Sequence, residues 1–182
     1  MLLSVIGVAA IGACQEGTKP PIAARNPLAD SADQVMFGIS TFITDKGLQL
    51  RAQLQADTGY FFDGSSRIEV RNEKTTFFTP QGAVSAVLTS KEGTYLTARS
   101  TMDARKNVLV VTSDGKRLTT EQLHYNQSTN EISSDSAFVM TEPTRELRGI
   151  GFVSDPNLIN VQVKRVLSGQ GPLPLPGHQH PQ

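Results

Sequence analysis

The sequence has no tryptophan, a single cysteine and no excess of either charge, with 17 Lys and Arg against 17 Asp and Glu. Each scarcity excludes something. Balanced charge leaves no basic stripe to neutralise phosphates, so nucleic acid is not an expected partner. It also argues against a polybasic membrane-surface protein. One cysteine supports neither an internal disulfide framework nor a multi-cysteine zinc site. No apolar run reaches the roughly 18–20 residues that cross a bilayer as a helix. Aromatic residues are only 6% of the chain, which counts against a glycan-binding face. G-x-S-x-G elbows, P-loops and H-E-x-x-H pairs are absent. Asp45, Asp63, Asp114 and Asp155 fall in turn-forming stretches, where an Asx side chain stabilises the turn itself. His124 lies between Leu123 and Tyr125, which read as strand residues, and is expected at a rim. His178 and His180 read as a solvated tail because no carboxylate or cysteine accompanies them. The reading is a non-enzyme with no catalytic residue, cofactor or metal site.

What is present begins at the N-terminus. Met1 to Ala13 is uncharged and almost wholly apolar, too short for a span but suited to the h-region of a signal peptide. Ile11-Gly12-Ala13-Cys14 resembles a bacterial lipobox, with small residues before a cysteine whose thiol takes the diacylglyceryl group. No Lys or Arg precedes the apolar run. Residues 1–13 are therefore expected to be a lipoprotein signal peptide, with Cys14 as the lipid-attachment site. Residues 14–34, with three prolines and little periodicity, read as a tether. Residues 169–182, rich in Pro and Gly, read as a disordered tail.

Between them, residues 35–168 read as one all-β domain. Leu48, Leu50, Ala52, Leu54 and Ala56 alternate with Gln49, Arg51, Gln53 and Gln55, a strand with one wet face. Ile68/Val70 and Ile159/Val161/Val163 repeat the alternation, and Val84, Ala86 and Leu88 repeat it more weakly. Val108 to Val111 is a continuous apolar run, as expected where both faces are covered. Asp45-Lys46-Gly47, Asp63-Gly64, Pro80-Gln81-Gly82, Ser113-Asp114-Gly115 and Asp155-Pro156-Asn157 supply turns. All three tyrosines, Tyr60, Tyr95 and Tyr125, recur about every 30–35 residues, each followed by a polar stretch and then an apolar strand. Such spacing implies a repeated hairpin stacking into an elongated sheet folded over on itself, with open edges. One ring per repeat is expected to cap the core, its hydroxyl at the rim.

The hairpins with Gly59-Tyr60 and Gly93-Thr94-Tyr95, the stretch Asp114-Gly115-x-x-Leu118-x-Thr120-x-x-Leu123-x-Tyr125 and the late Leu147-x-Gly149-x-Gly151-Phe152 resemble the LptC family. That family is the periplasmic component of lipopolysaccharide export. The resemblance spans about Phe37 to Val166 and implies a twisted, V-shaped antiparallel β-jellyroll with an apolar interior. It implies a bridge subunit that accepts lipopolysaccharide from the inner-membrane ABC transporter and passes it to an LptA-like protein of the same fold. On this reading Leu50, Leu54, Ile68, Val70, Val84, Leu88, Val161 and Val163 line a slot for lipid A acyl chains, at about 0.8 kcal/mol per sheltered CH₂. Gly149 and Gly151 would allow close backbone approach where the next protein docks, or mark a bulge or turn. Many members carry a transmembrane helix where this chain has Cys14, and a multiply acylated cysteine can replace it as an anchor. The expected location is the periplasmic face of the inner membrane. Gln15, where an Asp would favour inner-membrane retention, keeps the outer membrane as the alternative. An LptA-like bridge, an outer-membrane assembly protein and a scaffold lipoprotein remain the alternative functions.

Overall fold

A computed structural model describes residues 26–45 and 47–170. One short helix, α1 (Pro27–Ser31), precedes nine strands: β1 (Gln34–Thr44), β2 (Leu50–Phe62), β3 (Arg67–Phe78), β4 (Val84–Leu96), β5 (Thr101–Thr112), β6 (Arg117–Asn126), β7 (Glu131–Glu142), β8 (Arg145–Ser154) and β9 (Gln162–Gln170). Each strand pairs antiparallel with its sequence neighbours, in the order β1 to β9, and β1 and β9 are left as edges. The all-β, open and curled sheet agrees with the β-jellyroll expected from the sequence. The signal segment, Cys14, the first part of the tether and residues 171–182 lie outside the described residues. Within the tether, Asn26 caps α1 by accepting from the Leu28 amide at 3.2 Å. At the other end, Gly169 and Gln170 belong to β9, beyond the expected boundary at 168.

Some details correct the expectations. Leu48 is not a strand residue: it sits in the β1–β2 turn at φ 61 and is 83% exposed. There Asp45 Oδ1 accepts from the Gly47 and Gln49 amides at 2.9 and 3.0 Å, so the turn takes the chain that alternation had assigned to the strand. Ile159 is likewise outside β9 and exposed, in a loop organised by Asp155, whose carboxylate accepts from the Asn157 and Asn160 amides, both at 2.9 Å. Val108 to Val111 alternates between buried and half-buried positions, so only one of its faces is fully covered.

The strands are long, yet none runs straight. Asn72 on β3, Lys106 and Asn107 on β5, Gly38 on β1 and Gly151 on β8 all have positive φ. Register shifts fall at Thr89/Glu92, Arg105/Val108, Thr120/His124 and Ser134/Ala137. These irregularities line up as a column of bulges across the sheet. Bulges bend a strand and increase its twist, so a column of them creases the sheet. Each also frees ladder groups, and buried hydroxyls recover them. Thr120 Oγ1 donates to Ala137 O at 3.0 Å, and Ser134 Oγ to Gln122 O at 2.6 Å.

The crease divides the sheet into two flanks, and these face one another. Phe77 packs edge-on to Tyr125 with ring centroids 5.0 Å apart, although β3 and β6 are not neighbours. Thr75 Oγ1 lies 3.8 Å from Met102 Sδ. The Gln127 side-chain amide donates to Thr44 O, tying the β6–β7 turn to the end of β1. Lys116 Nζ donates to Leu158 O at 3.2 Å, tying the β5–β6 turn to the β8–β9 loop. The contact partners lie two to about five strands apart along the sheet. Parts of the first and last strands are therefore left uncovered.

Candidate functional site

The candidate site is the inner face of this folded sheet. Register places its side chains in cross-strand rows. One row runs Leu54, Thr75, Leu88, Val110, Leu118, Met140 and Leu147; another runs Ile68, Tyr95, Met102, Tyr125 and Ile132. Most are fully buried and belong to one continuous apolar cluster. Such a surface can shelter hydrocarbon from water and can do little else chemically. Among the described residues, no group of three or more His, Cys, Asp or Glu could hold a metal ion.

The expected slot residues divide into three sets. Leu54, Val70 and Leu88 lie in the centre of the core. Leu50 is half-buried at the start of β2. Ile68, Val161 and Val163 are also half-buried and pack against the core, near its margins. Val84 does not line the interior: it is 49% exposed at the first position of β4, where Ser85 and Ala86 are the buried residues. A separate hollow of about 490 Å³ crosses β5 to β9 along the crease, with Leu109, Phe138, Val139 and Leu167 among its lining. The edge strands carry much of the exposed apolar surface, Met36, Phe37 and Phe42 on β1 and Val166 and Leu167 on β9.

The three tyrosines are not equivalent. Tyr95 and Tyr125 share the inner row, and their hydroxyls reach Gln127 Oε1 and Asn130 Oδ1, both at 3.3 Å. Burial pushes the Tyr125 phenol up to about 12, so it stays a neutral donor. Tyr60 turns to the outer face. Its hydroxyl accepts from Asn26 Nδ2 at 2.8 Å, and Arg71 lies over its ring at 5.7 Å. Phe62 stands two residues along the same face beneath Arg67, 3.9 Å from its ring centroid. Alternation restarts in opposite phase after the bulge, so Gly59 takes the inward place that the Tyr would have filled.

The glycines mark tight approaches. A Cβ on Gly149 would lie 2.8 Å from both the Phe138 ring and Arg165 O, so this residue lets β9 and the ring close on β8. Gly151 has φ 70 and sits at the β8 bulge under Lys164. Gly93 leaves space for a side chain absent from the sequence reading. Glu73 points inward beside it and is 2% exposed. Ser90 Oγ lies 2.7 Å from Glu73 Oε1, while Oε2 is buried without a partner. Burial pushes this carboxyl up to about 7, against smaller opposing effects of the Ser90 hydrogen bond and Arg105. Glu73 stands in the charged run Arg71-Asn72-Glu73-Lys74, where charge density gives no sign of burial. The signal available was a change of phase, since Ile68 and Val70 are even-numbered whereas Thr75 and Phe77 are odd-numbered.

A creased antiparallel sheet with an apolar inner face and two free edges defines the β-jellyroll class. A family model described as lipopolysaccharide-assembly, LptC-related, matches residues 1–165. The chain belongs to this LptC-related family and has a role in lipopolysaccharide transport in the periplasm. The family is a transport and binding component rather than a family of enzymes. No curated protein matches the chain. Among the described residues no helix is long and apolar enough to cross a membrane.

Proposed function

We propose that this protein is a lipid-anchored bridge subunit. It takes lipopolysaccharide from the inner-membrane ABC transporter, shelters the acyl chains against the inner face of its sheet, and passes them to the next β-jellyroll protein. The single observation that carries the reading is the continuous apolar face of a sheet whose two edges are unpaired. Unpaired edges offer N–H and C=O groups to a like-folded neighbour, which would join two interiors into one path. The exposed Val166 and Leu167 place apolar surface on the β9 edge, and the close packing at Gly149 holds that edge against β8. Cys14 supplies the membrane attachment in this reading, and the energy for movement comes from the transporter.

Photo-crosslinking in cells tests it. Groups at Leu147, Val163 and Leu167, near the open margins, are expected to give lipopolysaccharide adducts, whereas a group at the outward Arg117 gives none. Absence of an adduct at all three of these sites would overturn the reading.

A further inference from the structure

Glu73 is the one Asp, Glu, His, Lys or Arg among the buried described residues, and it sits on the crease itself, next to Asn72 at φ 49. Its hydrogen-bond arithmetic is informative. Ser90 Oγ is 2.7 Å from Glu73 Oε1 and 2.8 Å from Glu92 O, yet a hydroxyl carries a single proton. With Glu73 ionised, Ser90 must donate to the carboxylate, and Glu92 O loses the Ser90 hydroxyl as a donor. With Glu73 protonated, the acid donates to Ser90 and Ser90 donates to Glu92 O. Every proton then has a place.

The surroundings give a carboxylate little help. Asp57 on β2 accepts from Asn72 Nδ2 at 2.8 Å, and Lys91 on β4 reaches Asn72 Oδ1 at 3.4 Å. Lys106 on β5 pairs with Glu92 at 2.8 Å, and Lys74 is exposed. Arg105 donates to Thr94 Oγ1 at 2.7 Å, and its charge opposes the effect of burial on Glu73 without overcoming it. The buried side chains of the facing flank include no Asp, Glu, His, Lys or Arg among the described residues.

We propose that Glu73 and Ser90 form a proton-controlled lock on the crease, closed when the carboxyl is protonated and loosened when it ionises. A buried charge without a partner favours any local opening that admits water. Ionisation therefore weakens the joint between the flanks at β3, β4 and β5. Easier entry of acyl chains would follow, and that consequence rests on the transport reading above.

Amide hydrogen exchange of the purified protein at about pH 5.5 and about pH 8.5, corrected for intrinsic rates, tests the lock without lipid. Its failure is thus distinct from failure of the transport reading. The opening constant at Ser90 to Gly93 and at Glu73 to Thr75 is expected to rise at least about tenfold between the two conditions. Glu73→Gln, permanently neutral and still a donor to Ser90, should stay flat and protected. Ser90→Ala, which strips the carboxylate of its partner, should move the rise to higher pH. A wild type without the rise, or the same rise in Glu73→Gln, overturns the lock. If Glu73→Gln does not fold, carboxyl ¹³C titration of the wild type decides: a midpoint near neutrality supports the lock, and one in the ordinary carboxylate range overturns it.

Discussion

At the scale of residues, two buried positions carry consequences that measurements can reach. Glu73 binds its proton more tightly in the folded chain than in the unfolded one, where its value is near 4.5. Between about 4.5 and 7 the folded state holds more protons, so stability falls as pH rises through that window. The full difference is about 3 kcal/mol, complete once the pH exceeds the folded value. Denaturant midpoints across pH should show this decline in the wild type and its absence in Glu73→Gln. Gly149→Ala tests the tight approach on β8. Its Cβ would strike the Phe138 ring and a backbone carbonyl on β9, and the carbonyl cannot yield without moving the strand. A loss of about 1–3 kcal/mol in denaturant unfolding is expected, together with weaker protection of β9 amides. Unchanged β9 protection would show that the glycine does not set the strand's approach.

At the scale of elements, the informative feature is the interrupted strand. The spacing Leu118-x-Thr120-x-x-Leu123-x-Tyr125 contains one residue too many for simple alternation, and the register shift falls at that place. Leu147-x-Gly149-x-Gly151-Phe152 changes phase in the same way at the positive φ of Gly151. The motifs that carried the family resemblance are therefore the bulges themselves. The strands of the body and their turns were legible because period-two alternation and Asx-Gly signals are local. The inward Glu73 and the outward Tyr60 were not, because a single added residue reverses every side chain beyond it. Edge strands give a separate expectation. Val166→Lys and Leu167→Lys add charge to exposed positions of β9, so stability should change by no more than about 0.5 kcal/mol. Crosslinking to a β-jellyroll partner should fall sharply, since a charged edge resists strand addition. An unchanged partner yield would move the docking surface elsewhere.

At the scale of the whole molecule, the sheet holds its fold by packing one flank on the other rather than by closing into a barrel. Leu88 and Leu118 lie at the middle of that contact with no exposed surface. Replacing either by Ala should cost about 2–5 kcal/mol, read as a lower denaturant midpoint. Attachment is an equally global property. If Cys14 is the anchor, Cys14→Ser should shift the protein from the membrane fraction to the soluble periplasmic fraction while the purified domain unfolds as before. Retention in the membrane fraction would mean that another segment or partner holds it there.

The sequence by itself determined the class of the protein. Balanced charge, one cysteine, missing catalytic motifs, alternating strands and punctuating turns are properties of local stretches, and they sufficed for an all-β chain; its resemblance to the LptC-related family lay in the Gly and Tyr motifs. Only the tertiary structure decided which side chains share the interior. The offset between the flanks, the Phe77–Tyr125 contact, the exposure of Val84 and the burial of Glu73 depend on bulges acting together across nine strands. Each bulge is a local event, but the crease is their sum, and packing across it joins residues far apart in the chain.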